Sequence, residues 1–259
     1  MNYKTVKYDI KDGIATVTIN RPDVLNAINA DVLNDLASVI KDAEKDNNVR
    51  CVIVTGDGRS FVAGADIDAM KNFSTMEALK FTELGHNILS SFESMSKPVL
   101  AAVNGFALGG GMELCLACDI VYASKKAKFG QPELNLGITP GFGATQRLAY
   151  VVGINKAREL VYTCDMIDAD EAKRIGLVAE VYEPEELIDK VVEKAKQIIS
   201  KGPCAAAAAK RVMNRGRGIS IDAALNLERE AFHGLFGTHD QKEGMSAFLE
   251  KRKAEFRAG

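Results

Sequence analysis

Along the first half of the chain, apolar residues recur in short runs with strand or helix spacing; further on they recur almost only with helix spacing. Val6–Ile10 and Ile14–Ile19 alternate or run apolar around the turn "KDG", which predicts a hairpin. "NRPDVLN" leads into Asn29–Lys45, where Val32, Leu33, Leu36, Val39, Ile40 and Ala43 repeat on one helical face. "VRCVIVTG" reads as a buried strand ending at Gly56, and "DGRSFVAGADI" as a loop mixing turn residues with Phe61 and Ala65. A helix is predicted over Glu77–Met95, then a strand in "KPVLAAV", a helix in "GMELCLA" and a strand in "DIVYAS". The order strand, glycine loop, helix thus occurs twice, over 51–70 and 98–118. That repetition predicts an α/β spiral of β-β-α units rather than a doubly wound sheet.

After "KFGQPELNLGITPGFGATQRL" come predicted helices at Asn155–Thr163, Asp168–Ile175 and Glu185–Ser200, with "GLVAEVY" as the only strand. Helices at 203–216 and 219–236 follow, with a charged final helix at 240–256. Helices without a sheet of their own must bury their apolar faces on the core or on another subunit. A boundary near 200 therefore divides a catalytic core, 1–200, from a C-terminal helical region, 201–259.

Composition adds mainly exclusions. A chain of 259 residues, 47% apolar and 26% charged, is ordinary for a globular protein. Its net charge of −2 gives no electrostatic reason to expect nucleic acid, and the basic stretch Lys210–Arg217 is too small to change that. The N-terminus lacks the apolar core of a signal peptide. Pro98–Val121, the most apolar stretch, is broken by Asn104, Glu113 and Asp119, so no membrane span is expected. Five cysteines, an odd number in mostly apolar surroundings, read as free thiols in a reducing cytoplasm. Cys115 and Cys118 form a C-x-x-C, but no second pair completes a zinc site, and neither metal nor redox use is expected.

The chemistry concentrates in "NGFALGGGMELCLACDI", residues 104–120, where Gly105, Gly109, Gly110 and Gly111 interrupt an apolar run that contains Glu113. Glycine there costs stability, so something requires bare backbone. A P-loop and a dinucleotide fingerprint both fail on spacing. Close packing stays open beside a second reading: Gly109–Gly111 open a helix, where unpartnered N–H groups favour negative charge. With "FVAGADI", the other small-residue loop before a helix, two such amides could make an oxyanion hole. In that reading Gly109 and Gly111 keep the approach to the donor clear, and Gly105 shapes the turn. Glu113 lies one helical turn past Gly110, and Glu133 sits twenty residues on, in the Gly- and Pro-rich loop "FGQPELNLG". His86, His233 and His239 lie far from these loops, and none has an obvious local serine or cysteine partner.

"SFVAGADIDAM", "KPVLAAVNGFALGGGMELCLACDI", "KFGQPELNLGITPGFGATQRL" and "DADEAKRIGLVAEV", in that order, resemble the crotonase superfamily and, within it, the enoyl-CoA hydratases. The resemblance implies a spiral β-β-α fold with a helical oligomerisation region, trimers paired into hexamers, and reversible syn addition of water to short-chain 2-enoyl-CoA giving (3S)-3-hydroxyacyl-CoA. It implies that the amides of Ala65 and Gly110 hold the thioester oxygen, that Glu113 deprotonates water and that Glu133 protonates Cα, with no cofactor beyond the CoA of the substrate. The isomerases of the superfamily commonly keep only the acid at the position of Glu133, so the pair favours the hydratases over them; an acyl-CoA- or RNA-binding relative with idle glutamates is the remaining alternative. CoA contacts are implied at Asn26, Ala27, Ala63, Gly64, Ala65, Asp66, Ile67, Gly109, Gly110, Pro132 and Gly141, with Lys251 reaching the phosphates of a neighbouring subunit's CoA. Val62, Met112, Asn135 and Ala144 depart from the usual residues of the pattern, and Cys164 stands where glycine is usual.

Overall fold

The computed structural model describes residues 3–257. Asp12 and Gly13, both at positive φ (53° and 80°), turn β1 (Val6–Lys11) back on β2 (Ile14–Ile19) in a two-residue hairpin. Asn29 caps α1 (Ala30–Lys45) by accepting from the Val32 amide, and the six residues picked out by spacing are the ones that helix buries. Three turns of a spiral follow. The first is β3 (Cys51–Gly56), β4 (Ser60–Ala63), the short α2 (Ile67–Met70) and α3 (Thr75–Ser94). The second is β5 (Val99–Val103), β6 (Phe106–Leu108) and α4 (Gly110–Ala117), and the third β7 (Ile120–Ser124), β8 (Lys128–Gly130) and α5 (Ala144–Val152). Next come α6 (Ile154–Thr163), β9 (Ile167–Asp168), α7 (Ala169–Arg174), β10 (Glu180–Tyr182) and α8 (Leu187–Ile199). Helices α9 (Pro203–Arg215), α10 (Ile221–Leu235) and α11 (His239–Leu249) form the C-terminal region.

Each turn places its first strand in one sheet and its second in another. The larger sheet has the order β1-β2-β3-β5-β7-β10, the smaller β4-β6-β8-β9. Within them β3, β5 and β7 are parallel neighbours, as are β4, β6 and β8. Val52 and Val54 of β3 join the main core, while Cys51 and Ile53 on its other face pack with Leu187, Val191 and Ala195 of α8. Covered on both sides, β3 reads as continuous apolar sequence.

The structure corrects several expectations. Strands β4, β6 and β8 lie in segments read as loop, because three or four residues are too few to show a period. For the same reason apolar spacing announces neither the third spiral turn nor α5, a short helix bounded by Gly143 and Gly153. "GLVAEVY" is not the only late strand, since the two-residue β9 pairs antiparallel with β8. The final helix stops at Leu249 rather than 256. There Arg252 forks back onto Glu243 (2.7 and 2.8 Å) and Lys251 takes a positive φ of 56°, folding the tail along α11.

Helix α9 is pinned to the core by a buried charge. Lys210 Nζ lies 2.8 Å from Asp119 Oδ2 and also donates to the carbonyls of Phe92 and Lys97. Asp119 in turn accepts from the Val99 amide at 2.7 Å.

Candidate functional site

The smaller sheet builds the site at the C-terminal ends of its parallel strands, where open α/β sheets collect their chemistry. Its register pairs Ala63 with Leu108 and Leu108 with Gly130. The residues that follow these three strand ends are therefore neighbours: Gly64–Ala65, Gly109–Gly110, and Gln131 to Glu133. Gly109 caps α4 at φ 50° and ψ −122°, a conformation open to glycine, and its amide donates to Gly130 O at 2.9 Å. Gly110 is the first residue of α4, so its N–H has no intrahelical acceptor. Ala65 forms a parallel bridge with Ile28, in which Ile28 N donates to Gly64 O and Asp66 N to Ile28 O (2.9 and 2.8 Å). In that arrangement Ala65's own amide faces away from Ile28. Among the described residues neither amide donates to a backbone acceptor, and they belong to neighbouring strand ends, an arrangement suited to an oxyanion.

Glu113, 1% exposed, projects from the first turns of α4. Its Oε1 accepts from the amides of Phe142 (2.8 Å) and Ala144 (2.9 Å), which leaves Oε2 unclaimed by them. Burial pushes its pKa up, while those amides and the Arg147 guanidinium act in the opposite direction. Glu133 sits in the 3-10 turn Pro132–Leu136, its Oε1 2.7 Å from the point where a Cβ on Gly109 would stand. Burial, and then the charge of Glu113, raise its pKa to about 7. The amide of the buried Gln131 lies 3.0 Å from both Glu133 oxygens, and its NH2 is assigned toward them because the reverse would set acceptor against acceptor. One carboxyl is thereby pinned by amides and the other is poised to hold a proton near neutrality, an acid and a base from one residue type.

The four glycines divide by role. A Cβ on Gly111 would collide with the Val62 carbonyl and one on Gly105 with that of Arg59, so close packing of α4 and the preceding turn demands both. The expectation that Gly111 clears the approach to Gly110 is therefore replaced by packing. Gly109 is required by backbone angle and by Glu133. A Cβ on Gly110 would meet Ile28 and Phe142 only at 3.4 Å.

The remaining expected positions spread outward. Asn26 is fully buried at φ 61°, with its side chain accepting from Arg21 N and donating to Asp57 O and Ser60 O, which leaves only backbone to offer a ligand. Ala27 O accepts from Arg21, whose guanidinium pairs with Asp66 at 3.0 Å and so ties the 26–27 loop to the 63–67 loop. Ala63 ends β4, Ile67 opens α2 half-exposed, Pro132 starts the 3-10 turn, and Gly141 lies near Thr82. Lys251 is exposed beyond α11, and no contact among the described residues brings it to the glutamates. Asn135 is exposed, whereas Ala144 is buried and contributes its amide to Glu113. Cys115 and Cys118 are buried in α4 and at its end with their thiols pushed up by burial, which makes them packing rather than thiolate ligands.

Sequence reasoning missed Phe142, Arg147, Gln131 and Arg21. Gln131 stands two residues before Glu133 and carried a local signal. Arg147 did not, because its place depends on the unpredicted α5.

A coil of parallel β-β-α turns with two carboxyls near its strand ends defines a class, the enzymes of the crotonase fold. The chain belongs to the enoyl-CoA hydratase/isomerase family, whose profile matches residues 9–259. It is 53% identical over 247 residues to the short-chain-enoyl-CoA hydratase of Clostridium acetobutylicum, covering 95% of each chain. To the crotonyl-CoA hydratase of Syntrophomonas wolfei it is 51% identical over 257 residues, 99% of each. The crystal structure of the enoyl-CoA hydratase from Bacillus anthracis superposes with a TM-score of 0.96 at 34% identity, over 99% of this chain and 100% of that one.

Proposed function

We propose that this protein is a hydro-lyase that reversibly adds water across the 2,3 double bond of short-chain enoyl-CoA thioesters. The observation that supports the reading is the register of β4, β6 and β8, whose neighbouring ends are followed by Gly64–Ala65, Gly109–Gly110 and Gln131 to Glu133. Glu113, ionised, takes a proton from the water whose oxygen attacks C3. The π electrons move through C2 onto the thioester oxygen, and the two amides hold the resulting enolate. Protonated Glu133 delivers its proton to C2 as the enolate collapses. Delivery of both groups from one face gives syn addition and a (3S)-3-hydroxyacyl-CoA; in dehydration the two glutamates exchange roles. Carboxyls and amides perform every step, so the reaction calls for no metal or redox cofactor.

The CoA is assigned to the backbone at Asn26–Ala27, the Ala63–Ile67 loop, Gly109, Gly110, Pro132 and Gly141, with Lys251 directed to a neighbouring subunit. Support for trimers paired into hexamers, built on a helical region spanning 201–259 next to a 1–200 core, comes from Met213, Ile221, Phe232, Phe248 and Leu249, all more than half exposed on α9–α11. A cytoplasmic setting is supported by five free cysteines, and among the described residues no helix is long and apolar enough to cross a membrane.

Loss of enoyl-thioester absorbance with crotonyl-CoA tests the reading. E113Q and E133Q should each slow hydration by about 100- to 10,000-fold. A variant that keeps wild-type turnover removes that residue from the mechanism. Conversion of a 3-enoyl-CoA without hydration of crotonyl-CoA would make the protein an isomerase.

A further inference from the structure

Behind Glu113 runs a chain of contacts that the reaction as written does not use. Arg147, on α5, donates from Nη1 to Phe142 O at 2.8 Å, and its guanidinium lies so close over Gly143 that a Cβ there would collide with it. Phe142 and Ala144 are the residues whose amides grip Glu113 Oε1. Nη2 of Arg147 reaches Glu93 Oε2 on α3 at 2.6 Å and Ser90 Oγ at 3.3 Å. The other oxygen of Glu93 meets Arg217 at 3.3 Å, just past α9, and Asn214 closes the group by donating to Glu93 O and accepting from Arg217. The side chains of Arg147 and Glu93 are only 12% and 22% exposed, so this pair is shielded from the screening that weakens surface ion pairs.

We propose that Arg147 is the positioning residue of Glu113: it clamps the Phe142–Ala144 turn that holds the inert oxygen, and its guanidinium, with strength set by Glu93, supplies the compensating charge for the carboxylate. Helix α4 packs on α3, α5, β4 and β6. Strands β4 and β6 carry no charged residue. The charges around Glu113 are then Arg147 from α5, Glu93 behind it on α3 with Arg217 beyond, and Glu133 from the 3-10 turn. Arg147 is the cation that favours the ionised base, in agreement with its effect on Glu113. Removing it must disfavour ionisation, whereas removing Glu93 must strengthen it, so the two variants have opposite signs. A residue that serves folding alone would not show that opposition.

The inference rests on Glu113 acting as the base, and two readouts separate its failure from the failure of that role. In the first, crotonyl-CoA hydration is followed against pH for R147Q, R147K and E93Q. For R147Q the ratio of acid-side turnover to turnover at the optimum should fall, because the lost guanidinium no longer favours the ionised carboxylate. R147K keeps the charge but loses the fork; its kcat should drop with little change in KM or in that ratio. E93Q should raise the ratio. The second readout needs no turnover: carbon-13 NMR of protein labelled at the glutamate carboxyl carbons, with the Glu113 signal assigned by its loss in E113Q. Its titration should move to higher pH in R147Q and to lower pH in E93Q. A Glu113 signal that titrates identically in wild type, R147Q and E93Q overturns the inference whatever the enzyme turns over. Absence of hydration by the wild type would overturn the proposed function, and the titrations would still decide the role of Arg147.

Discussion

Replacing Gly109 with alanine tests the site where backbone and chemistry meet. At φ 50° and ψ −122° an L-residue is strained, at a cost of about 1–3 kcal/mol. The new Cβ would also stand 2.7 Å from Glu133 Oε1, closer than ordinary van der Waals contact. The 3-10 turn is the softer partner, because Glu133 lies on half-buried backbone while Gly109 is held by its bond to Gly130 O and by α4. The carboxyl therefore yields by a sizeable fraction of an ångström, and displacements approaching 1 Å in a reacting group cost about 100-fold. G109A should fold with a lowered melting temperature and lose about 100-fold in kcat on crotonyl-CoA, with KM changed far less. If the loss passes through Glu133, G109A/E133Q should turn over no more slowly than E133Q alone, a non-additivity that a double-mutant cycle reads directly. A folded G109A with kcat within threefold of wild type would refute the coupling of this glycine to the acid, as would full additivity with E133Q.

Glu133 must be protonated to act as the acid in hydration, and its raised pKa of about 7 means that protonation is lost as pH rises through neutrality, so kcat/KM should decline on the alkaline side with a midpoint near 7; a profile flat through that range contradicts the assignment. K210M leaves Asp119 buried without its ammonium partner and should destabilise by about 3–5 kcal/mol in denaturant unfolding. Replacing both partners with apolar residues of similar volume should recover much of that loss. C164G should stabilise by about 1 kcal/mol: Cys164 ends α6 at φ 58° and ψ 20°, the left-handed region that glycine enters freely, which gives a physical reason for the glycine usual at this position. An unchanged unfolding midpoint would show that this strain is relieved elsewhere.

Legibility along the chain follows element length. Helix α1 and strands β2 and β3 run six residues or more, long enough for apolar spacing to declare them, and they stand where it put them. The strands that carry the site are the short ones: β6 and β8 hold three residues each, and the parallel neighbours that stabilise them are distant in sequence. Glu113 and Glu133 were legible as acids in unusual company, and Gly110 as a helix opening. Gly105 and Gly111 look identical to Gly109 in sequence, yet only the approach of Arg59 and Val62 shows that they answer to packing. Lys251, read on a helix, lies past its end because Arg252 pairs back to Glu243, a contact that no local pattern announces.

By itself the sequence determined the alternation of strands and helices, the bare backbone at 109–110 and the presence of two candidate carboxyls, because these depend on periodicity and on what glycine and glutamate are. Tertiary structure decided which atoms meet. The parallel register of three short strands brings residues 65, 110 and 133 to one edge, and the α5 turn supplies the amides and the arginine that distinguish Glu113 from Glu133. Two chemically identical side chains acquire different tasks from their surroundings, and those surroundings come from segments of the chain that are neighbours only once it has folded.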